Sequence, residues 1–158
     1  MSSWLNLGRN VAIVTGAGSG IGRSICKNLA SAGCAVVACD LMDDSVKETA
    51  RQIAESDDKA IAYPFKADVS SSADVEKLFY RASEMSQDLF QQPPSILVNC
   101  AGITRDGWIS NLTEGEFDDV INVNLKGCWL TARQFAMPER TAGFKEGGAG
   151  GSIVNISR

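Results

Sequence analysis

The sequence predicts an α/β fold, a doubly wound parallel sheet with helices on both faces, and three observations predict it. Short, β-branched apolar runs alternate with longer segments of helical period, the pattern of successive βαβ units. The glycine-rich run Thr15-Gly16-Ala17-Gly18-Ser19-Gly20-Ile21-Gly22 stands between the first apolar run and the first helical segment. With 158 residues, the chain has room for one domain, taken as residues 1–158, and enough length to bury a core.

The elements follow in order. Val11 to Thr15 reads as the first strand. Ile21, Ile25 and Leu29 repeat at helical spacing, and Gly33 stops a helix running to Ala32. Ala35 to Cys39 is the second strand, ending on Asp40. Asp43 or Asp44 caps a helix to about Ser56, and Ala60 to Phe65 is a third strand despite Pro64. Ser71 or Ser72 caps the next helix, to about Leu89. Pro93-Pro94 punctuates the chain before a fourth strand, Ser95 to Asn99. Thr113 and Glu116 form a capping-box pattern that opens a helix to about Met137, ended by Pro138. Residues 139–151 are a glycine-rich connection, and Ser152 to Ile156 is a fifth strand.

Composition removes several function classes. A formal charge of -4 offers no basic field to nucleic acid, and no stretch is long and apolar enough to span a membrane. The absence of histidine excludes Ser-His-Asp and Cys-His hydrolases. Cys26, Cys34, Cys39, Cys100 and Cys128 lack CxxC spacing and mostly sit in apolar segments, so they read as buried free thiols of a reducing, intracellular compartment, with no metal site. Met1 to Asn10 carries one Arg and no apolar run, unlike a secretory signal or a typical transit peptide.

The glycine run is the strongest chemical signal. Gly16 makes the tight turn, Gly20 leaves room for a diphosphate, and Gly22 lets the helix pack closely on the sheet; the helix amino end offers N–H groups to the phosphates. No Gly-Lys-Ser/Thr follows, which disfavours a P-loop nucleotidase. Asp40, eighteen positions after Gly22, stands where a carboxylate accepts both adenosine ribose hydroxyls, or where it caps a helix. A 2'-phosphate there meets a like charge at about 4 Å, a repulsion of roughly 4 kcal/mol at an effective dielectric of about 20. Ser19 adds no positive charge, so NAD is favoured over NADP. Asp68 can accept from the adenine amino group while Val69 packs on the ring, and Asn99-Cys100-Ala101-Gly102 would let a ribose or nicotinamide lie against the backbone. As isolated features, Asp68 reads nearly as well as a plain loop aspartate, and residues 99–102 read better as a strand-ending turn.

These segments, with Asn124 in Asn122-Val123-Asn124-Leu125-Lys126-Gly127 and the run Gly151-Ser152-Ile153-Val154-Asn155-Ile156-Ser157, occur in the order and spacing of classical short-chain dehydrogenases/reductases. The chain resembles that family over essentially its whole length. Ala38-Cys39-Asp40-Leu41, Pro93-Pro94-Ser95 and Cys100 to Thr104 look most like the type 8 17β-hydroxysteroid dehydrogenases and their 3-oxoacyl-acyl-carrier-protein reductase relatives.

The resemblance implies a Rossmann-type fold and an NAD-dependent oxidoreductase moving hydride between nicotinamide and a secondary alcohol or ketone, either a steroid or a 3-oxoacyl thioester. It implies cofactor contacts at Gly16, Ser19, Gly20, Ile21, Gly22, Asp40, Leu41, Ala67, Asp68, Val69, Asn99, Ala101 and Gly102. It also implies homo- or hetero-oligomers at full length and a mitochondrial matrix location, with the cytoplasm as the alternative. Of the family's Asn-Ser-Tyr-Lys tetrad only Asn124 is found; Tyr63 and Tyr80 lack the Tyr-x-x-x-Lys pattern, and Ser157 and Arg158 receive no catalytic role.

The chain is therefore expected to be a carboxyl-terminally truncated form, with about five of the family's seven strands, inactive alone and reduced in stability. An apolar face including Leu125, Trp129 and Phe135 is expected to be partly exposed. The competing expectations are a non-catalytic dinucleotide-binding or subunit-interaction fragment and, less in keeping with the glycine spacing, a sugar epimerase.

Overall fold

The computed structural model describes residues 7–137 and 150–157. Among them, strands β1 (Val11–Thr15), β2 (Ala35–Asp40), β3 (Ala62–Lys66), β4 (Ile96–Asn99) and β5 (Ser152–Asn155) form one parallel sheet in the order β3-β2-β1-β4-β5. The helices are α1 (Gly20–Ser31), α2 (Asp43–Ser56), α3 (Ser72–Phe90), α4 (Glu114–Val120) and α5 (Cys128–Phe135).

Alternation along the central strand sorts the core into two layers. Val11 and Ile13 point to one face, where they join Val37, Leu97 and the α3 and α5 residues Leu78, Phe79, Leu130 and Phe135. Ala12 and Val14 point to the other, with Val36, Ala38 and Val98 against Cys26 and Ala30 of α1 and Val46 and Ile53 of α2. A strand covered on both faces has no polar side, which is why β1 reads as an unbroken apolar run.

Local chemistry explains most element ends. The α1 terminus is a Schellman motif: Gly33 takes φ 93°, its N–H donates to the Ala30 carbonyl at 2.9 Å, and Cys34 N–H donates to Leu29 at 3.1 Å. Ser71 caps α3 by accepting from Asp74 N–H, and Thr113 and Glu116 form the complete capping box. Neither Asp43 nor Asp44 caps α2. Met42 holds that position without a side-chain bond, and the aspartates occupy the first turn, where their charge faces the helix dipole. Strand β3 accommodates Pro64 because of phase. Val36 N–H donates to Ile61 and Ala67 N–H to Asp40, so in the parallel register Pro64, opposite Ala38, directs its nitrogen away from β2 and no ladder bond is lost.

The helix expected to run unbroken from Thr113 has a π-helical middle, Ile121–Gly127, between α4 and α5. Two distant contacts accompany the wider turns. The Asn124 amide binds the Ile103 backbone, and Gly127 lies so close to Val69 that a Cβ on it would come within 2.9 Å of a Val69 methyl. Phe135 is not part of an exposed face: it is 4% exposed and meets Phe79 edge-on, ring centroids 6.4 Å apart. Leu125 and Trp129 are exposed as expected. Residues 1–6, the stop at Pro138 and most of the 139–151 connection lie outside the described residues.

Candidate functional site

The chain passes outward from β1 to β2 and β3, then returns to the other side of β1 as β4. That reversal opens a crevice at the carboxyl ends of β1 and β4, the position where doubly wound sheets hold ligands. The glycine turn lies there. Gly16 takes φ 65°, and a Cβ on it would stand 2.7 Å from the Ala101 nitrogen. Thr15 joins the two strand ends: its buried hydroxyl oxygen accepts from Cys100 and Ala101 N–H, each at 3.1 Å. Ala17 N–H adds a bond to the Cys39 carbonyl at 2.9 Å, so the turn is tied to β2 as well.

The amino end of α1 is prepared for an anion. Ser19 is extended at φ -157°, no side chain caps the helix, and no carboxylate stands in its first turn. Helices α2, α3 and α4 all carry acids in theirs. Gly20 takes φ 50° with open space where its side chain would be, consistent with a diphosphate approaching the backbone. A Cβ on Gly22 would fall 2.0 Å from the Gly16 carbonyl oxygen, so Gly22 lets the first turn of α1 lie close against the chain leaving β1.

Asp40 is half-buried beside the turn. Its Oδ2 accepts from Gly18 N–H at 2.9 Å and its Oδ1 from Met42 N–H at 3.0 Å, which leaves acceptor capacity on both oxygens. The residue is thus a loop-bracing carboxylate and an available acceptor at once. Gly18, which sequence reasoning had not assigned to the site, is required here, because a Cβ would come 2.8 Å from both the Asp40 carboxylate and Ser45 Cβ.

A cleft of about 140 Å³ brings most of the expected residues together. Gly16, Asp40, Leu41, Ala67 and Asp68 line it with Val69, Ala101 and Gly102, and Ile103 and Val123 complete its wall. The last two were not anticipated. Val123 belongs to the π-helical segment, which Asn124 ties to the Ile103 backbone. Asp68 is partly committed, with Oδ1 accepting from both the N–H and the hydroxyl of Ser70. Ile21 and Leu41 are exposed at 49% and 58%, apolar surface at the mouth of the turn.

A second cleft, of about 250 Å³, shares Ala101 and Gly102 and continues past Cys100, Asn124 and Cys128 to Asn155, Ile156 and Ser157. Asn124 Oδ1 accepts from Ile103 N–H at 2.9 Å and its Nδ2 donates to the Ile103 carbonyl at 3.0 Å. The amide therefore positions the loop between the two clefts. Burial pushes the Cys128 thiol above its ordinary pKa, so it is neutral at physiological pH. Among the described residues no tyrosine, lysine or carboxylate lines this cleft; Tyr63 and Tyr80 stand exposed on β3 and α3.

Asn99 is corrected. It is 1% exposed and lines neither cleft; its Nδ2 donates to Asn155 Oδ1 at 2.9 Å, and its Oδ1 accepts from the buried Thr131 hydroxyl at 2.7 Å. Its work is to brace β4 against β5 and α5. No group of His, Cys, Asp and Glu among the described residues can hold a metal ion, and no helix among them is long and apolar enough to cross a membrane.

Residues 10–158 match the family model of the short chain dehydrogenases. The chain belongs to the short-chain dehydrogenase family. Over 162 aligned residues it is 42% identical to the (3R)-3-hydroxyacyl-CoA dehydrogenase of Mus musculus, covering 99% of this chain and 59% of that protein. It is 40% identical to the acetoacetyl-CoA reductase of Allochromatium vinosum, with 93% of this chain and 55% of that protein covered. A solved structure described as a citronellol catabolism dehydrogenase of Pseudomonas aeruginosa superposes with a TM-score of 0.77 at 28% identity, covering 94% of this chain and 55% of that one. This short-chain dehydrogenase chain thus spans somewhat more than half the length of the relatives it matches. As a member of an oxidoreductase family that binds NAD(P), it places the glycine turn, Asp40 and the β4 end around one crevice.

Proposed function

We propose that this chain forms the coenzyme-binding part of an NAD-dependent oxidoreductase that interconverts 3-hydroxyacyl and 3-oxoacyl thioesters. The observation that carries the coenzyme choice is the Asp40 carboxylate, fixed by Gly18 N–H at the edge of the glycine turn. A carboxylate held there accepts from two ribose hydroxyls and repels a 2'-phosphate. The cradle suits a dinucleotide diphosphate: Gly20 leaves open space, and the α1 terminus offers uncapped N–H groups with no competing acid. Ala101 and Gly102, small and shared by both clefts, let the remainder of the coenzyme pass along the backbone toward Asn124. Bound there, the nicotinamide supplies or accepts the hydride.

The chain's own residues then bind and orient. Thr15 and Asn124 hold the 100–103 loop, Asp40 selects the adenosine end, and Val69 offers an apolar wall for adenine. The acyl thioester is favoured over a steroid because the mouse relative is a (3R)-3-hydroxyacyl-CoA dehydrogenase and the Allochromatium relative an acetoacetyl-CoA reductase. Proton transfer to the substrate oxygen needs a donor within hydrogen-bond reach. No Tyr-x-x-x-Lys occurs in the 158 residues, so these residues alone are expected to bind coenzyme without turning it over. A second reading, a non-catalytic subunit-interaction role, is favoured by the exposure of Leu125 and Trp129, at 64% and 57%.

Calorimetric titration tests the first reading. NADH is expected to bind more tightly than NADPH, and no NADH binding at millimolar coenzyme would overturn it.

A further inference from the structure

We propose that Arg23 is a positioning residue for the coenzyme: from behind the glycine turn it clamps Gly18, holds the Asp40 carboxylate in place, and thereby sets the preference for NADH over NADPH. The inference rests on the proposed dinucleotide reading and adds a residue that makes no part of the crevice wall.

Arg23 lies on the first turn of α1, half-buried. Its Nη2 donates to the Gly18 carbonyl and, at 3.4 Å, to the Ser45 carbonyl. Its Nε donates to the Thr49 hydroxyl at 2.9 Å. Thr49, fully buried on α2, has its own hydroxyl proton within reach of the Ala17 carbonyl at 2.8 Å and the Ser45 carbonyl at 3.1 Å. The carbonyls of Ala17 and Gly18 are thus held from behind by two side chains on two helices. The amide side of Gly18 is held by Asp40 Oδ2. With both its N–H and its C=O engaged, and no space at its Cβ position, Gly18 cannot turn without releasing the carboxylate.

This arrangement accounts for selectivity better than Asp40 alone. A mobile carboxylate swings away from a 2'-phosphate at little cost, and must be ordered each time it binds a ribose diol. A fixed one repels the first and is already in place for the second. The guanidinium fork matters as geometry, since it reaches two carbonyls and a hydroxyl at once. Lysine keeps the charge and loses the planar fork.

The test uses the 158-residue chain and Arg23→Met, Arg23→Lys and Thr49→Val. NADH and NADPH are titrated separately by nicotinamide fluorescence, folding is checked by circular dichroism, and amide exchange at Gly18 and Ser19 is measured without coenzyme. Arg23→Met is expected to weaken NADH about ten-fold and to shrink the NADH-to-NADPH affinity ratio about five-fold or more. Arg23→Lys is expected to shrink the ratio too, and all three variants to speed exchange at Gly18. Thr49→Val, which keeps the buried shape, carries the test where an Arg23 variant fails to fold.

Folded variants with an unchanged affinity ratio would overturn the proposal, whether both coenzymes bind normally or weaken in proportion. So would a fully normal Arg23→Lys. A wild-type chain that binds neither coenzyme, while Gly18 exchange still responds to Arg23→Met, would reject the dinucleotide reading and the selectivity built on it, yet leave the clamp itself demonstrated.

Discussion

Replacing Thr15 with valine keeps the shape of a side chain that is 1% exposed and removes one oxygen. That oxygen accepts two backbone N–H groups, from Cys100 and Ala101, each at 3.1 Å. The Cys100 amide is buried; leaving such a group unpaired costs about 1–3 kcal/mol. The Ala101 amide is only partly buried and recovers some of its loss through water. The expected net destabilisation is about 2 kcal/mol, roughly thirty-fold in the unfolding constant. Function suffers with stability, because residues 100–102 line the second cleft and 101–102 both clefts. Thr15→Ser keeps the acceptor, loses one buried methyl at about 1 kcal/mol, and is expected to retain NADH affinity. Urea unfolding at constant m reads the first quantity and NADH fluorescence the second. A Thr15→Val chain with the wild-type urea midpoint and wild-type NADH affinity would refute the idea that this hydroxyl joins the strand ends.

Three further perturbations probe the site and core. Asp40→Asn removes the charge facing a 2'-phosphate; the NADPH penalty, about 4 kcal/mol by Coulomb's law at an effective dielectric of about 20, is expected largely to disappear in paired titrations, and unchanged discrimination would count against Asp40 as selector. Gly22→Ala gains up to about 1 kcal/mol of helix propensity but sets a methyl 2.0 Å from the Gly16 oxygen, so the turn must open and NADH binding is expected to fall at least about a hundred-fold. Retained binding in that variant would show that the turn tolerates displacement. Burial, with the nearby Cys100 as a smaller cause, pushes the Cys26 thiol from its ordinary 9.0 up to about 12. Its folded pKa lies above its unfolded one, so its contribution is fully present below pH 9 and is lost as pH rises toward 12. Thermal midpoints measured across that alkaline range are expected to fall more steeply for the wild type than for Cys26→Ala; parallel curves would contradict the assignment.

Most of the fold was legible because its elements are signalled locally. The β1 run, the Gly33 terminator and the Thr113–Glu116 box each act within a few residues, and each appears where expected. Much of the candidate site was legible for the same reason: eight expected contacts, from Gly16 to Gly102, line one cleft. The misses share a different cause. The Asn99 side-chain amide is taken up inside the sheet by Thr131, 32 positions away, and Asn155, 56 positions away. Phe135 looked exposed until α3 supplied Phe79 as its partner. The π-helical turns around Asn124 are accompanied by contacts to Ile103 and Val69, which no helical periodicity encodes.

By itself, the sequence determined the order of strands and helices, the glycine turn and the carboxylate at the end of the second strand. These depend on backbone preference and short-range burial pattern, which neighbouring residues carry. Only the tertiary structure decided what each glycine excludes, which asparagine braces and which positions, and that Arg23 and Thr49 stand behind Gly18. A hydrogen bond depends on distance and direction between groups, and for partners 22 to 86 residues apart those quantities exist only once the sheet has brought its strand ends together.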